Sequence, residues 1–194
     1  MAHMKVQGWA ILGLILGLLV VQAQTGPVAP FPKNYTKNLV LYGLGDRSDG
    51  KSRNFYISPA AVEAVKKGQE LPVGTIMAIE TFSAKRGQDG SLEKDKNGFL
   101  VRDKPDKELH VMLKVAPESA LSKAWAFGAY DPSTGLPQQG TNPLSDCLFC
   151  HTEALGTDMM FSFKEFKLFV QTGQIQRIDC PLPERQRCPP PRTE

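Results

Sequence analysis

The chain has 194 residues, of which 41% are hydrophobic and 22% charged, and its formal net charge is +3. These values fit one globular domain and exclude a disordered chain, a collagen or a coiled coil, whose compositions are more extreme. The 23 basic and 20 acidic residues are too evenly balanced to indicate a nucleic-acid-binding surface. The distribution is uneven, however: the first stretch is almost purely apolar, and all four cysteines lie in the last quarter of the chain.

The first feature is an apolar run of 13 uncharged residues from Trp9 to Val21, with Lys5 before it and Gln22-Ala23 after it. The run is shorter than the roughly 20 residues of a transmembrane helix. Its basic start, apolar centre and small final residues are typical of a secretory signal. We therefore predict that residues 1–23 are a cleaved signal peptide that directs the protein to the periplasm. The alternative is an uncleaved N-terminal segment that anchors the protein in the membrane.

Short β-prone and helix-prone segments follow without a βαβ alternation. We predict strands at 38–43, 54–57, 74–82, 99–101, 109–115 and 124–130, and helices at 59–67, 146–155 and 158–170. Ser58 and Asp158 are expected to cap the first and last helices, which end at Gly68 and Gly173. The pattern predicts an α+β fold over residues 24–178, with a mainly antiparallel sheet and a few short helices, followed by a Pro-rich tail at 179–194.

The segment Cys147-Leu148-Phe149-Cys150-His151 has the Cys-x-x-Cys-His spacing of covalent haem attachment. Three residues apart on a helix, the two cysteines project from one face, so both can form thioethers with vinyl groups along one side of a porphyrin. His151 follows directly and can bind the iron as the proximal ligand. We therefore predict one covalently bound haem c, on a helix near the C-terminus.

Two other interpretations of the cysteines are open. A thioredoxin-like dithiol would follow a strand in a βαβ pattern, which this late segment lacks. A zinc site would need two ligands besides Cys147 and Cys150. Cys180 and Cys188 are available, but seven residues separate them, unlike the pairs of a compact zinc knuckle. In an exported chain, we expect Cys180 and Cys188 to form a disulfide that fixes the tail.

The sixth position of the iron distinguishes an electron carrier, which fills it with Met or His, from a gas binder, which leaves it open. On the predicted strand, His110 shares a face with Met112 and Lys114, and the opposite face is apolar and expected to be core. His110 is therefore predicted to be a surface histidine. Met77 is an alternative ligand, while Met159 and Met160 are more simply core residues.

Several segments follow one another in a characteristic order: Pro32-Lys33-Asn34-Tyr35, Arg53-Asn54-Phe55-Tyr56-Ile57-Ser58-Pro59, Gly68, Gly74-Thr75, Trp125-Ala126-Phe127, Cys147 to His151, and Thr157-Asp158-Met159-Met160-Phe161. On these segments, the chain resembles the cytochrome P-460 and cytochrome c′-beta family over about residues 32–169. The resemblance implies an exported bacterial monohaem protein with a mainly antiparallel β fold. It also implies that Cys147 and Cys150 attach the haem, that His151 is the proximal ligand, and that the strand at 74–82 lies over the distal haem face.

One departure from the family pattern concerns that strand. Proteins of the P-460 type carry a lysine cross-linked to the porphyrin just before a glutamate, but here Ile79 precedes Glu80. The cross-link cannot form at this position, and Lys85 lies too far along the chain to replace the lysine without a change of register. The resemblance therefore favours the cytochrome c′-beta type, whose hydrophobic distal pocket binds small gases such as nitric oxide.

The resemblance also gives candidates for the distal pocket. Met77 and Ile79 share one face of the predicted strand, and Phe82 is a weaker candidate because it lies on the other face. Arg53 matches a position that can project into the distal pocket, and its alternative is a surface or strand-edge arginine.

Three functions follow as hypotheses. The first is a periplasmic monohaem c-type cytochrome that transfers electrons or binds nitric oxide or carbon monoxide. The second is a hydroxylamine-oxidising enzyme, against which Ile79 argues. The third is a six-coordinate electron carrier with His110 or a methionine on the iron. The expected partners are haem, a small gas and a redox partner protein. Members of this family are often dimers, so a homodimer is an option, and no nucleic-acid partner is expected.

Overall fold

A computed structural model describes residues 28–47, 49–116, 124–140 and 147–178. These residues contain a six-stranded sheet in the order β5-β4-β3-β2-β1-β6. Neighbouring strands are antiparallel, except that β6 runs parallel to β1. The strands are β1 (Val40–Asp46), β2 (Lys51–Ile57), β3 (Ile76–Ala84), β4 (Arg102–Lys114), β5 (Trp125–Tyr130) and β6 (Gln176–Arg177). The predicted α+β class with a mainly antiparallel sheet is confirmed.

The helices are short. They are α1 (Tyr35–Asn38), α2 (Pro59–Lys66), α3 (Leu148–His151), a 3₁₀ helix (Thr152–Thr157) and α4 (Phe163–Thr172). The predicted helix at 146–155 is therefore one α-helical turn that continues as a 3₁₀ helix, with a kink at Ala154 where φ is −107° and ψ is 27°. Among the described residues, no helix is long and apolar enough to cross a membrane.

Both predicted helix caps are wrong in their contacts. Ser58 does precede α2, but its hydroxyl oxygen accepts a hydrogen bond from the Ile76 backbone N–H at 2.7 Å and makes no capping bond. Asp158 ends the 3₁₀ helix, and α4 begins five residues later because the Asp158 carboxylate is bound by side chains of the sheet. Gly173 ends α4 with a φ of 70°, as predicted.

Strand bounds differ most around β4. This strand begins at Arg102, within a segment expected to be a loop, because the Asp106 carboxylate binds Ser83 on the neighbouring β3 and Lys51 on β2 beyond it. The predicted strand at 99–101 is instead an isolated bridge between Lys94 and Leu100. Neither α1 nor β6 was predicted, because four-residue and two-residue elements carry too little pattern to be recognised.

The sheet is covered on both sides, which makes two cores. We call the side that carries Met77 and Phe127 the motif face, since it packs against α3 and α4. We call the side that carries Ala78 and Val111 the N-terminal face, since it packs against the segment from Ala29 to Leu41. The prediction that one face of β4 is core is therefore incomplete: Leu109 and Val111 are buried, but so are Met112 and Lys114 on the opposite face.

The N-terminal segment closes the outer side of β5. Val28 forms a parallel bridge with Phe127, and the Ala29 N–H donates to the Phe127 carbonyl at 3.0 Å. This close approach requires Gly128, because a Cβ there would lie 2.6 Å from the Ala29 carbonyl oxygen. The outermost strand thus acquires a backbone partner, which protects it from pairing with other chains.

Candidate haem-binding site

The Cys-x-x-Cys-His motif lies on one helical turn. Cys147 immediately precedes α3 and already has helical angles, with φ −84° and ψ −50°. Cys150 lies within α3, one turn later, so both sulfurs project from the same side of the helix. Both cysteines are reduced and partly exposed. Two thiols at this spacing are the arrangement that a double thioether attachment needs.

His151 is held by three contacts. Its ring centroid lies 5.1 Å from those of Phe127 and Phe161, so the imidazole is packed between two aromatic rings. Its Nδ1 lies 2.6 Å from the carbonyl oxygen of Met159. A carbonyl can only accept, so Nδ1 carries the proton and donates it to that oxygen. Burial lowers the pKa of His151, and the bond to Met159 opposes this shift. The neutral ring therefore presents the lone pair of Nε2, the form that binds metals.

The strand register places three predicted site residues on the motif face. Ile57 pairs with Met77, Phe55 with Ile79, and Arg53 with Thr81. Directly paired residues lie on the same face, so Arg53, Met77 and Ile79 share the side on which His151 packs. Met77 is buried in the core of this face, whereas Ile79 and Arg53 are half-buried. Along these two strands, the side chains of the motif face therefore change from the apolar Met77 and Ile79 to the cationic Arg53.

His110 is exposed, as predicted, but it is not remote from the motif. It pairs with Ile79 on one side and with Ala129 on the other, which places it on the motif face. Met112, two residues along, pairs with Met77 and Phe127 and belongs to the core beneath His151. A histidine beside Ile79 is therefore a polar neighbour of the candidate distal strand.

Other predicted residues lie elsewhere. Phe82 pairs with Ser52 and points to the N-terminal side of the sheet, as the alternation predicts. Lys85 follows the end of β3, is exposed and forms an ion pair with Glu93 at 2.9 Å. Glu80 lies on the N-terminal face, where the Tyr56 hydroxyl donates to it at 3.5 Å. None of these three side chains contributes to the motif face.

Sequence reasoning missed the polar group behind His151. The Lys114 Nζ lies 2.5 Å from Asp158 Oδ2, and the Trp125 Nε1 donates to Asp158 Oδ1 at 3.0 Å. A lysine inside the apolar strand Leu109–Val115 was the available signal, because a buried lysine requires an anionic partner. Met159 and Met160 are core residues of the motif face, as predicted, each with 1% exposure.

The donor set fits a c-type haem better than the alternatives. The site contains two thiols, a neutral imidazole whose Nε2 is available, and buried Met and Phe side chains beneath them. This set matches covalent attachment of a haem with one axial nitrogen ligand. Within the described ranges, no three His, Cys, Asp or Glu side chains come together as metal ligands, and Cys180 and Cys188, which the zinc alternative requires, lie outside those ranges. The antiparallel sheet also lacks the βαβ setting of a thioredoxin-like dithiol.

Some predictions fall outside the described residues. The signal peptide at 1–23, the tail at 179–194 and the disulfide between Cys180 and Cys188 belong to this group. They stay predictions from the sequence.

Comparison with known proteins identifies the family of the chain. The family model for Cytochrome P460 matches residues 32–162, which include the whole Cys-x-x-Cys-His motif and all strands from β1 to β5. A search of curated proteins found no match. The match covers more than half of the 194 residues. The chain therefore belongs to the cytochrome P460 family, whose members bind haem c.

Proposed function

We propose that this chain is an exported monohaem c-type cytochrome that binds a small neutral gas, nitric oxide or carbon monoxide, at its iron. The observation that carries the proposal is the geometry of His151. Its Nδ1 is committed to the Met159 carbonyl, and its ring is packed between Phe127 and Phe161. A histidine fixed in this tautomer offers Nε2 to one axial position of the iron.

Cys147 and Cys150 are the proposed attachment residues. Each thiol adds across one vinyl group, so that a C–S bond forms at one vinyl carbon and the thiol hydrogen is transferred to the other. No oxidant is consumed in this addition. Haem c would supply a redox-active iron that can bind a small ligand. Cys147, Cys150 and His151 would hold the group.

The distal side is the part of the proposal that selects the ligand. Ile79 occupies the position at which the family resemblance places a cross-linked lysine, and Met77 lies beside it in the core. An apolar lining favours neutral diatomic molecules, because transfer of a charged ligand to such a site is costly. Arg53 lies on the same face beyond Ile79, where a cation can meet the polar edge of a ligand or of the haem.

An absorption spectrum of the full chain, matured with covalent haem, tests the proposal. We expect a high-spin spectrum that shifts when nitric oxide or carbon monoxide is added. Replacing both Cys147 and Cys150 by serine should abolish covalent attachment, whereas the same change at Cys180 and Cys188 should preserve it. A strongly red-shifted Soret band in the unmodified protein would indicate a cross-linked haem and would contradict the gas-binding proposal.

A six-coordinate electron carrier is the second candidate, because His110 lies directly across from Ile79. The matched pair His151→Ala and His110→Ala separates the two functions. We expect His151→Ala to abolish normal axial ligation and His110→Ala to leave the spectrum unchanged. If the parent protein is low-spin and does not respond to either gas, and His110→Ala converts it to high-spin, His110 is the sixth ligand.

Export to the periplasm is a separate part of the proposal and rests on residues 1–23. Mass spectrometry of the protein from the periplasmic fraction should find a mature chain that begins at Gln24. An intact N-terminus in the membrane fraction would instead support the uncleaved anchor. The size of the exported protein in solution then distinguishes a monomer from the homodimer.

A further inference from the structure

A buried ion pair lies behind the proximal histidine. The Lys114 side chain is fully buried and the Asp158 side chain is 6% exposed. Both carboxylate oxygens of Asp158 are bound, Oδ2 by the Lys114 Nζ at 2.5 Å and Oδ1 by the Trp125 Nε1 at 3.0 Å. Lys114 and Trp125 are themselves paired across β4 and β5. The rigid sheet therefore holds the Asp158 carboxylate from two directions.

The backbone at this carboxylate is unusual. Asp158 has a φ of 50° and Met159 a φ of 60°, so two consecutive non-glycine residues are left-handed. Aspartate tolerates this conformation, but methionine rarely adopts it. Such a pair persists when surrounding contacts over-determine it. Here those contacts are the two side-chain bonds to Asp158 and the bond from the Met159 N–H to the Ala154 carbonyl, at 2.8 Å.

The turn has a direct contact with His151. The carbonyl of Met159, the second left-handed residue, accepts the hydrogen bond from His151 Nδ1 at 2.6 Å. The orientation of that carbonyl depends on the dihedral angles of Asp158 and Met159. The sheet is thus connected to the imidazole in three steps. Lys114 and Trp125 bind the Asp158 carboxylate, Asp158 is followed directly by Met159, and the Met159 carbonyl accepts the hydrogen bond from His151.

We propose that Lys114, Asp158 and Trp125 are positioning residues for His151. They fix the left-handed turn whose carbonyl orients the imidazole and strengthens its electron donation to the iron. This inference rests on the proposed function, since it requires His151 to be the axial ligand. A hydrogen bond to the far nitrogen makes a coordinated histidine a stronger donor. The buried ion pair therefore affects the iron–histidine bond and the midpoint potential without contacting the iron.

Three single substitutions in the haem-loaded full chain test the proposal. Asp158→Ala removes both side-chain bonds and the left-handed preference, Asp158→Asn keeps that preference and an acceptor for Trp125, and Trp125→Phe removes one donor. The readouts are the iron–histidine stretching band of the ferrous protein and the midpoint potential. We expect the band to move to lower frequency and the potential to rise, most in Asp158→Ala, with Asp158→Asn partly restoring both. Trp125→Phe should give a smaller shift in the same direction.

Leu109→Ala is the matched control, because this fully buried residue lies on the N-terminal face. It should lower the unfolding midpoint without moving the band or the potential. Parent values in a folded Asp158→Ala protein would overturn the inference. If that variant does not fold, Asp158→Asn and Trp125→Phe decide: parent values in both overturn the inference, and shifts in the stated direction support it. A parent chain without covalent haem or without a histidine band refutes the proposed function instead.

Discussion

The two faces of the sheet bury polar groups in different ways. On the N-terminal face, Glu80 is bound by the hydroxyl of Tyr56, and Asn54 donates to the same hydroxyl at 3.0 Å. These groups satisfy one another within the core. On the motif face, Lys114 and Asp158 likewise bind each other. The turn that this ion pair stabilises also contacts His151, because the Met159 carbonyl in that turn accepts the His151 hydrogen bond.

The difference shows how to interpret a buried polar group. Burial of a charge costs free energy unless the charge is paired and hydrogen-bonded, so both networks need complete pairing. The N-terminal network continues from Asn54 to the half-buried Arg102, whose Nε donates to Asn54 Oδ1 at 2.8 Å, and none of its described contacts is with His151. Its effect is on stability and the pH dependence of stability. The motif-face network reaches His151, the proposed axial ligand, so we expect its effect to extend to the chemistry of the iron.

The largest effect on stability is expected from Lys114→Met. This change leaves the Asp158 carboxylate buried without its cation and should lower the free energy of unfolding by about 3–5 kcal/mol. Urea unfolding measures it. The double variant Lys114→Met with Asp158→Asn should lose less, because no unpaired charge is buried. A double variant that is less stable than Lys114→Met would contradict this account of the motif face.

A matched pair on β4 sharpens the comparison between the faces. Leu109→Ala on the N-terminal face and Met112→Ala on the motif face should each lower the free energy of unfolding by about 3 kcal/mol, since both side chains are buried. We expect the haem spectrum to change in Met112→Ala alone, because Met112 pairs with Phe127, whose ring packs on His151. Equal spectral changes in the two variants would mean that the faces are not separate.

The smallest effect is expected from Glu80→Gln and appears in the pH dependence. Burial raises the pKa of Glu80, and the tyrosine hydroxyls only partly oppose this. A raised folded-state pKa stabilises the protein below the unfolded-state pKa, and this contribution is lost as pH rises through the folded value. Relative to the parent, Glu80→Gln should therefore gain stability as pH rises above the ordinary pKa of a glutamate, as measured by thermal unfolding.

Glu63→Gln is the control of opposite sign for that measurement. Lys66 lowers the pKa of the exposed Glu63 carboxyl through a hydrogen bond at 2.8 Å. The contribution of Glu63 to stability is therefore present above its unfolded-state pKa and lost as pH falls. The Glu63→Gln protein should thus become less stable than the parent as pH rises toward neutral. The same pH trend in both glutamate variants would refute the assignment of Glu80 to a buried network.

The sequence predicted most of the sheet because local pattern and burial agree there. Residues 76–81 alternate between two faces, and the structure places Ala78 and Met77 in different cores. The haem motif is equally local, since five consecutive residues contain its chemistry. Where the relevant residues are neighbours in sequence, spacing alone predicts which side chains share a face.

Longer-range features could not be predicted in this way. Lys114 and Asp158 are 44 positions apart, and Asp158 precedes an apolar segment just as a helix cap would. The sheet binds its carboxylate instead, so tertiary contacts override the local preference. The exposed His110 was placed correctly, but its position beside Ile79 depends on the β3–β4 register, which alternation does not determine.

The hydrogen bond between the Tyr42 hydroxyl and Ser162 Oγ, at 2.7 Å, joins residues 120 positions apart. The N-terminal core, in contrast, is composed of residues up to Tyr130. Closure of long loops is slow because its entropy cost precedes the contacts that offset it. The order of the chain therefore lets the N-terminal core form first and the motif-face core last. Because Cys147 and Cys150 are partly exposed even in the folded chain, we expect an attachment apparatus to reach them both before and after α4 packs against the sheet.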